Sequence, residues 1–196
     1  MAGAWLREEQ ADLAVDKILE AASKAFVDLG VSRTRMRHIA QYAGCSRGTL
    51  YRYFKTRGEL DIAYTNRSAE LLSARLKNEL ALISDPRERV VESILRAVRA
   101  VRDSPGLAAW FDPNASGMAA RVSQGSEVIN ALSNAFVRRL LELDIDDPTS
   151  DLRGRWIVRV IVSLLTMPGE SEEEERALVE RFVAPLALNE SEKPEA

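Results

Sequence analysis

The sequence predicts an all-α protein, with a three-helix unit at the N-terminus and a larger helical domain after it. Three observations carry that prediction. Apolar residues recur at spacings of three and four through most of the chain, which places them on single helix faces. The segments so defined stop and start at Gly, Pro, Ser and Asp positions suited to helix ends. Charge is also divided along the chain. Residues 1–60 carry ten Lys/Arg against seven Asp/Glu, and residues 61–196 carry 17 against 23, so the formal net charge of -3 averages two ends of opposite sign.

Val15, Ile18, Leu19, Ala22, Phe26 and Leu29 form one stripe, which places the first helix at about 10–29 with Gly30 as its stop. The second helix, about 34–41, turns Ile39 and Ala40 inward, and Thr34 or Ser32 is the candidate cap at its start. Ala43-Gly44-Cys45 makes a turn in which Gly44 supplies a conformation other residues resist. Ser46 then caps a third helix at about 46–53. A long helix at about 59–83 has Leu60, Tyr64, Leu71, Leu72, Leu76 and Leu80 as its apolar positions. Asp85-Pro86 opens the next, because Pro suits the first helical turn. That helix carries Val90, Val91, Ile94, Leu95, Val98 and Val101 and stops at Ser104-Pro105-Gly106.

A short segment at 107–111 and a loop at 112–117 follow. Another helix starts within 118–126 and ends near 143, before a loop at 144–150. The run 152–167 is rich in β-branched residues, which suit a strand, but its length and its helical neighbours favour helix. Pro168-Gly169 stops it, and a final helix spans 171–186 with Glu172 to Glu175 at its positive N-terminal end. Residues 189–196 read as a disordered tail, and the domains are expected at 1–55 and 56–188.

Composition narrows the function classes. A hydrophobic share of 46% with 29% charged residues fits a soluble globular protein. No apolar run approaches the ~20 residues of a membrane span, and the N-terminus lacks a signal-peptide pattern. A cytoplasmic protein is expected. The single cysteine, Cys45, forms no internal disulfide and supplies no zinc site alone, and reads as a packing residue. The single histidine, His38, has no evident acid–base or metal partner. There is no phosphate loop, metal-ligand cluster or nucleophile–base pair, so no catalytic residue, metal or cofactor is expected. Glu172 to Glu175 are explained by the helix dipole.

Between Gly30 and Arg57 lie seven cations, Arg33, Arg35, Arg37, Arg47, Arg52, Lys55 and Arg57, and no Asp or Glu. A cationic helix-turn-helix in an acidic chain calls for a polyanion, and double-stranded DNA is the partner expected. Major-groove reading needs short or hydrogen-bonding residues at the front of a helix, with cations and hydroxyls beside it for phosphates. Ser46, Arg47, Gly48 and Thr49 supply the front. Arg47 suits a guanine edge, Gly48 allows close approach, and Thr49 suits a phosphate or a thymine methyl. Tyr51 and Tyr53 offer hydroxyls to phosphates. Arg52, Lys55 and Arg57 cluster at the far end, and Arg37 projects toward the same groove. His38 lies beside this face as a phosphate contact or a plain surface residue.

The run Gly30…Ile39-Ala40…Ala43-Gly44-Cys45-Ser46-Arg47-Gly48-Thr49-Leu50-Tyr51-Arg52-Tyr53-Phe54-Lys55…Arg57…Glu59-Leu60 resembles the N-terminal signature of TetR-family transcriptional regulators over about residues 12–62. The resemblance implies a DNA-binding domain followed by a helical ligand-binding and dimerisation domain. It also implies a homodimer on a roughly palindromic operator, usually a repressor released by a small molecule. By position it implies phosphate contacts for Thr49, Tyr51, Tyr53 and Arg57, base-facing places for Arg37, Arg47 and Gly48, and core places for Leu50 and Phe54. Two residues depart from the pattern. Arg35 stands where Thr or Ser is frequent, leaving Thr34 as the substitute cap, and Cys45 replaces a common Val.

In the regulatory half, Trp110, Phe111, Met118 and Phe136 are the candidate ligand contacts, with ordinary core as the alternative. Trp110 and Phe111 come first because they lie on a short segment between loops, where ligand-driven movement in the family usually starts. An apolar or amphipathic effector is expected among the helices between about 60 and 143. The runs 152–167 and 177–186 are more apolar than one buried face requires. Ile157, Val158, Ile161, Val162, Leu165, Leu178 and Phe182 are therefore the candidate dimer contacts, in a four-helix interface about a twofold axis. Three alternatives stay open: a constitutive or architectural DNA binder, an activator, and a helical small-molecule-binding protein or enzyme with no motif in its support.

Overall fold

In a computed structural model, which describes residues 2–112, 127–140 and 149–188, every regular element among those residues is helical. The order is α1 (Ala2–Leu29), α2 (Met36–Tyr42), α3 (Arg47–Tyr53), α4 (Arg57–Leu80), α5 (Pro86–Arg102), α6 (Pro105–Ala108), α7 (Glu127–Leu140), α8 (Ser150–Thr166) and α9 (Glu172–Leu178). A π-helical turn, Val179–Val183, continues α9 into α10 (Ala184–Ala187). The β-branched run is helical, as length and context indicate. Met118, the start of the helix preceding 127, and the 189–196 tail lie outside the described residues. Among the described residues no helix is long and apolar enough to cross a membrane.

Local chemistry fixes the first three helices. Gly30 takes φ 78° and ends α1, its N–H donating to the Phe26 carbonyl at 3.0 Å. Thr34 does not cap α2. Its buried hydroxyl turns back to the Ala25 and Gly30 carbonyls, at 3.0 and 2.8 Å, and closes the α1–α2 corner. Neither Thr34 nor Ser32 is the N-cap; Arg35 is, and a guanidinium has no acceptor to offer the helix. The compensation comes from the other side, where the Arg35 N–H donates to His38 Nδ1 at 3.2 Å. Gly44 sits at φ 63° in the turn. Ser46 caps α3 as predicted, its Oγ accepting the Thr49 N–H at 3.0 Å. Ser46→Ala is expected to lower stability by about 1 kcal/mol, read as a drop in thermal midpoint with unchanged helix content at low temperature.

Two apolar cores result. The first gathers Ile18, Phe26, Ile39, Leu50 and Phe54 from α1–α3, with Leu60 and Tyr64 from α4 and Trp110 from just beyond α6. Residues on both sides of position 55 therefore share one core. The second centres on α5, whose Val90, Val91, Ile94 and Val98 pack with Ile157, Leu164, Val179 and Val183. Pro185 accounts for the register around the π turn. The Ala184 N–H reaches the Val179 carbonyl, and the next donor in that register would be Pro185, which has none. The Glu180 carbonyl takes Arg87 Nη2 instead, at 2.8 Å.

A buried ion pair ties α5 to the α8–α9 connection. Glu175 is 3% exposed and accepts two Arg102 bonds, at 2.6 and 2.8 Å, and the Gly169 N–H at 3.0 Å. Arg102 also reaches the Leu164 carbonyl. The Arg102 bonds hold the Glu175 carboxyl below the usual carboxylate range, against the opposing pull of burial. Its stabilisation is therefore complete at neutral pH and is lost as pH falls through that depressed value. Glu175→Gln is expected to cost roughly 2–3 kcal/mol, somewhat below a fully buried pair because Arg102 is partly solvated. The gap between the variant's thermal midpoint and that of the wild type should close on acidification.

Candidate nucleic-acid interface

The α3 helix separates its faces cleanly. Leu50 and Phe54 are buried in the first core, while Ser46, Arg47, Gly48, Tyr51 and Arg52 are exposed. Thr49 and Tyr53 are half-buried at the margin. The Thr49 and Ser46 hydroxyls lie 2.9 Å apart, and the Arg52 guanidinium sits 5.2 Å from the Tyr53 ring centroid. Arg35, Arg37 and Lys55 are exposed on the flanking segments. Of the seven cations between Gly30 and Arg57, only Arg57 makes an ion pair among the described residues. Arg33 turns back to the Leu29 carbonyl at the end of α1. Arg35, Arg37, Arg47, Arg52 and Lys55 are exposed on α3 and its flanking segments without an ion-pair partner among the described residues, which suits a phosphate backbone.

Arg37 approaches His38 Nε2 at 3.2 Å. One imidazole nitrogen at most accepts, so the Arg35 N–H and Arg37 Nε compete for His38. Arg37 is exposed on α2.

Arg57 departs from the reading its sequence position suggested. Its guanidinium is turned inward. Nε donates to Asp61 at 2.7 Å, Nη1 to the Thr34 carbonyl and Nη2 to the Val31 carbonyl at 3.2 Å. It also lies 5.0 Å over the Phe26 ring. Burial raises the Asp61 carboxyl, and the Arg57 bond and charge only partly offset that rise. Arg57 clasps the start of α4 to the α1–α2 corner, and its nitrogens are already engaged there.

A cavity of about 190 Å³ opens behind this unit, among α4, α5, α7, α8 and the segment after α6. Trp110, Phe111 and Phe136 line it. So do Ile157, Val158, Ile161, Val162 and Leu165, which the sequence reading placed at a dimer contact. Ile157 is only 4% exposed. A cavity wall and a subunit interface demand the same apolar surplus, so composition does not distinguish them. Leu178 and Phe182 do face outward, Phe182 at 60% exposure, and Leu152, Trp156, Met167 and Leu186 join them as exposed apolar residues. The sequence reading missed Thr65, Ser68, Leu72 and Leu76 as cavity lining on α4, and Ser93 on α5. The signal was present: three hydroxyls, those of Thr65, Ser68 and Ser73, interrupt an otherwise apolar helical stripe on α4.

Trp110 belongs to both sites. It lines the cavity and also sits in the N-terminal core, 5.4 Å edge-on to Phe26 and stacked 6.0 Å from Tyr64. Gly106 just before it leaves no room for a Cβ, which would overlap Ser23 Oγ and Tyr64 Oη.

Comparison with known proteins agrees with this arrangement. Residues 18–63 match the family model described as bacterial regulatory proteins, tetR family. An uncharacterised HTH-type transcriptional regulator of Mycobacterium tuberculosis is 42% identical over 188 residues, covering 95% of this chain and 92% of the relative. The fold is shared with the TetR family repressor AlkX from Dietzia sp. strain DQ12-45-1b, at TM-score 0.68 and 20% identity over 88% of this chain and 94% of that one. It is shared too with RolR in complex with resorcinol, at TM-score 0.67 and 19% identity over 96% of this chain and 98% of that one. With the exposed basic α3, the matched N-terminal unit and a relative aligned along nearly its whole length, the chain belongs to the TetR family of helix-turn-helix transcriptional regulators.

Proposed function

We propose that this regulator is a homodimeric, cytoplasmic repressor that leaves a roughly palindromic operator when a small molecule enters the cavity. The observation that carries the reading is Trp110, which is shared by the cavity wall and the core of the DNA-binding unit. A ligand that displaces Trp110 disturbs Phe26 and Tyr64 directly, and α4 lines the cavity while anchoring α1. Two recognition helices must match half-sites one turn of DNA apart, so a small swing lowers affinity steeply. A tenfold loss needs only about 1.4 kcal/mol of differential binding between the two states. The naming of AlkX as a repressor and the resorcinol complex of RolR support the same reading.

In this reading Arg47 and Arg37 address base edges and Gly48 allows close approach. Ser46, Thr49, Tyr51, Tyr53 and Lys55 hold phosphates. Arg57 is a positioning residue. Phe111 and Phe136 join Trp110 as ligand contacts. The dimer forms through Leu178, Phe182 and Leu186, spaced four apart on the C-terminal helix, together with Leu152 and Trp156 of α8.

The test is binding of purified protein to its own upstream intergenic DNA, with unrelated DNA as competitor and salt varied. Tight, competitor-resistant binding that Tyr51→Ala abolishes supports the reading. Binding to that DNA no tighter than to competitor, with genome-wide selection also yielding no preferred site, overturns it.

A further inference from the structure

We infer that the effector is a neutral, mainly apolar molecule of one or two rings, carrying a hydrogen-bond acceptor that the Trp110 indole N–H takes. The inference rests on the ligand-release reading above and specifies its chemistry.

Charge is the first argument. Among the described residues lining the cavity, none is ionisable: the wall is Leu, Ile, Val, Ala, Phe and Trp with a few Ser and Thr. A carboxylate or ammonium held there would lose its hydration with no counter-charge to replace it. Hydrogen bonding is the second. Thr65 donates to the Asp61 carbonyl, Ser68 to Tyr64, Ser93 to Val90 and Ser133 to Ile129, at 2.7 to 2.9 Å. Their protons are spent on their own helices, so these hydroxyls offer a ligand no donor.

Two donors remain among the described lining residues: the half-buried Ser73 hydroxyl, and the Trp110 Nε1–H, which is the buried one. Trp110 is 2% exposed, and its Nε1 has no acceptor within reach among the described residues. A buried donor without a partner is costly, and native proteins rarely keep one without a use for it. Nε1 is itself buried rather than open to the cavity, so an acceptor there bonds it only once the indole has turned across the Tyr64 face. That movement disturbs the edge contact with Phe26, so recognition and signal share one side chain. Size is the third argument. A dry apolar cavity of roughly 150 Å³ admits benzene, so about 190 Å³ suits one or two rings.

The test uses full-length protein labelled at the indole nitrogens, with three probes of nearly equal shape: indane, 1-indanone and indane-1-carboxylate. Calorimetry should rank 1-indanone at least tenfold tighter than indane, with the carboxylate weakest. The Trp110 indole proton should move downfield with 1-indanone and not with indane. In Trp110→Phe the gap between 1-indanone and indane should fall below twofold while indane binding persists. A gap that survives in Trp110→Phe overturns the inference, as does tightest binding of the carboxylate. Should Trp110→Phe not fold, the wild-type indole proton decides: equal shifts with indane and 1-indanone overturn it. Operator release is measured separately. Probe discrimination without release would sink the repression reading and leave the cavity assignment standing.

Discussion

Arg47→Ala is expected to lower operator affinity by roughly 30-fold to 10⁴-fold. The range follows from the geometry of a dimer. A good bidentate contact between Arg and a guanine edge is worth about 1–3 kcal/mol, and the proposed dimer meets two half-sites, so the loss is counted twice. At about 1.4 kcal/mol per decade, that doubled loss spans the stated range. Arg47 stands exposed in the leading turn of α3, with no ion-pair partner among the described residues to compete for it. The informative readout is the ratio of operator to competitor binding. Arg47→Ala should collapse that ratio while competitor binding falls little. Lys55→Ala should lower both together and flatten the salt dependence by about one unit of slope for each phosphate no longer neutralised. Arg57→Ala should act differently again, lowering the thermal midpoint more than the salt slope, because its nitrogens are engaged by Asp61, Thr34 and Val31. Equal losses on operator and competitor for Arg47→Ala would show that α3 does not read bases.

These contrasts mark how far the sequence was legible. The helix-turn-helix followed from strictly local rules: the Gly30 stop, the Gly44 turn, the Ser46 cap, and cations spaced around a helix whose Leu50 and Phe54 point inward. Each rule acts within a few residues, so the order of residues suffices to apply it. Arg57 shows the limit. As sequence it is one more cation in a basic run, and only tertiary structure brings the Thr34 and Val31 carbonyls and the Phe26 ring around it. Thr34 shows the same limit: a hydroxyl one residue before the N-cap looks like a cap until the α1 carbonyls come within reach. In α8 the apolar surplus was legible and its purpose was not. Ile157, Ile161 and Leu165 face a cavity that exists only once α4, α5 and α7 surround it. The orphan donor of Trp110 depends on distances between helices and left no trace in the sequence.

The outward apolar residues lead to the second large effect. Phe182→Asp should convert the protein to monomers and reduce operator affinity by about 10²–10⁴-fold. Leu178, Phe182 and Leu186 form an exposed row on the C-terminal helix, with Phe182 at 60% exposure. Apolar exposure of that extent on a well-packed chain marks a contact surface. In an isologous interface one substitution enters twice, so two carboxylates would replace two apolar contacts about the same axis. The two recognition helices then bind as separate molecules. They lose the millimolar effective concentration that tethering supplies, with no change at the DNA-contacting residues. Ile157→Asp is the discriminating control. Its side chain lies 4% exposed against the second core and the cavity, so it should unfold the chain rather than separate two folded ones. Sedimentation velocity and circular dichroism read the two outcomes independently. A Phe182→Asp protein that sediments as a dimer would remove the C-terminal helix from the interface. The exposed α8 residues, Leu152 and Trp156, would then have to hold the twofold contact alone.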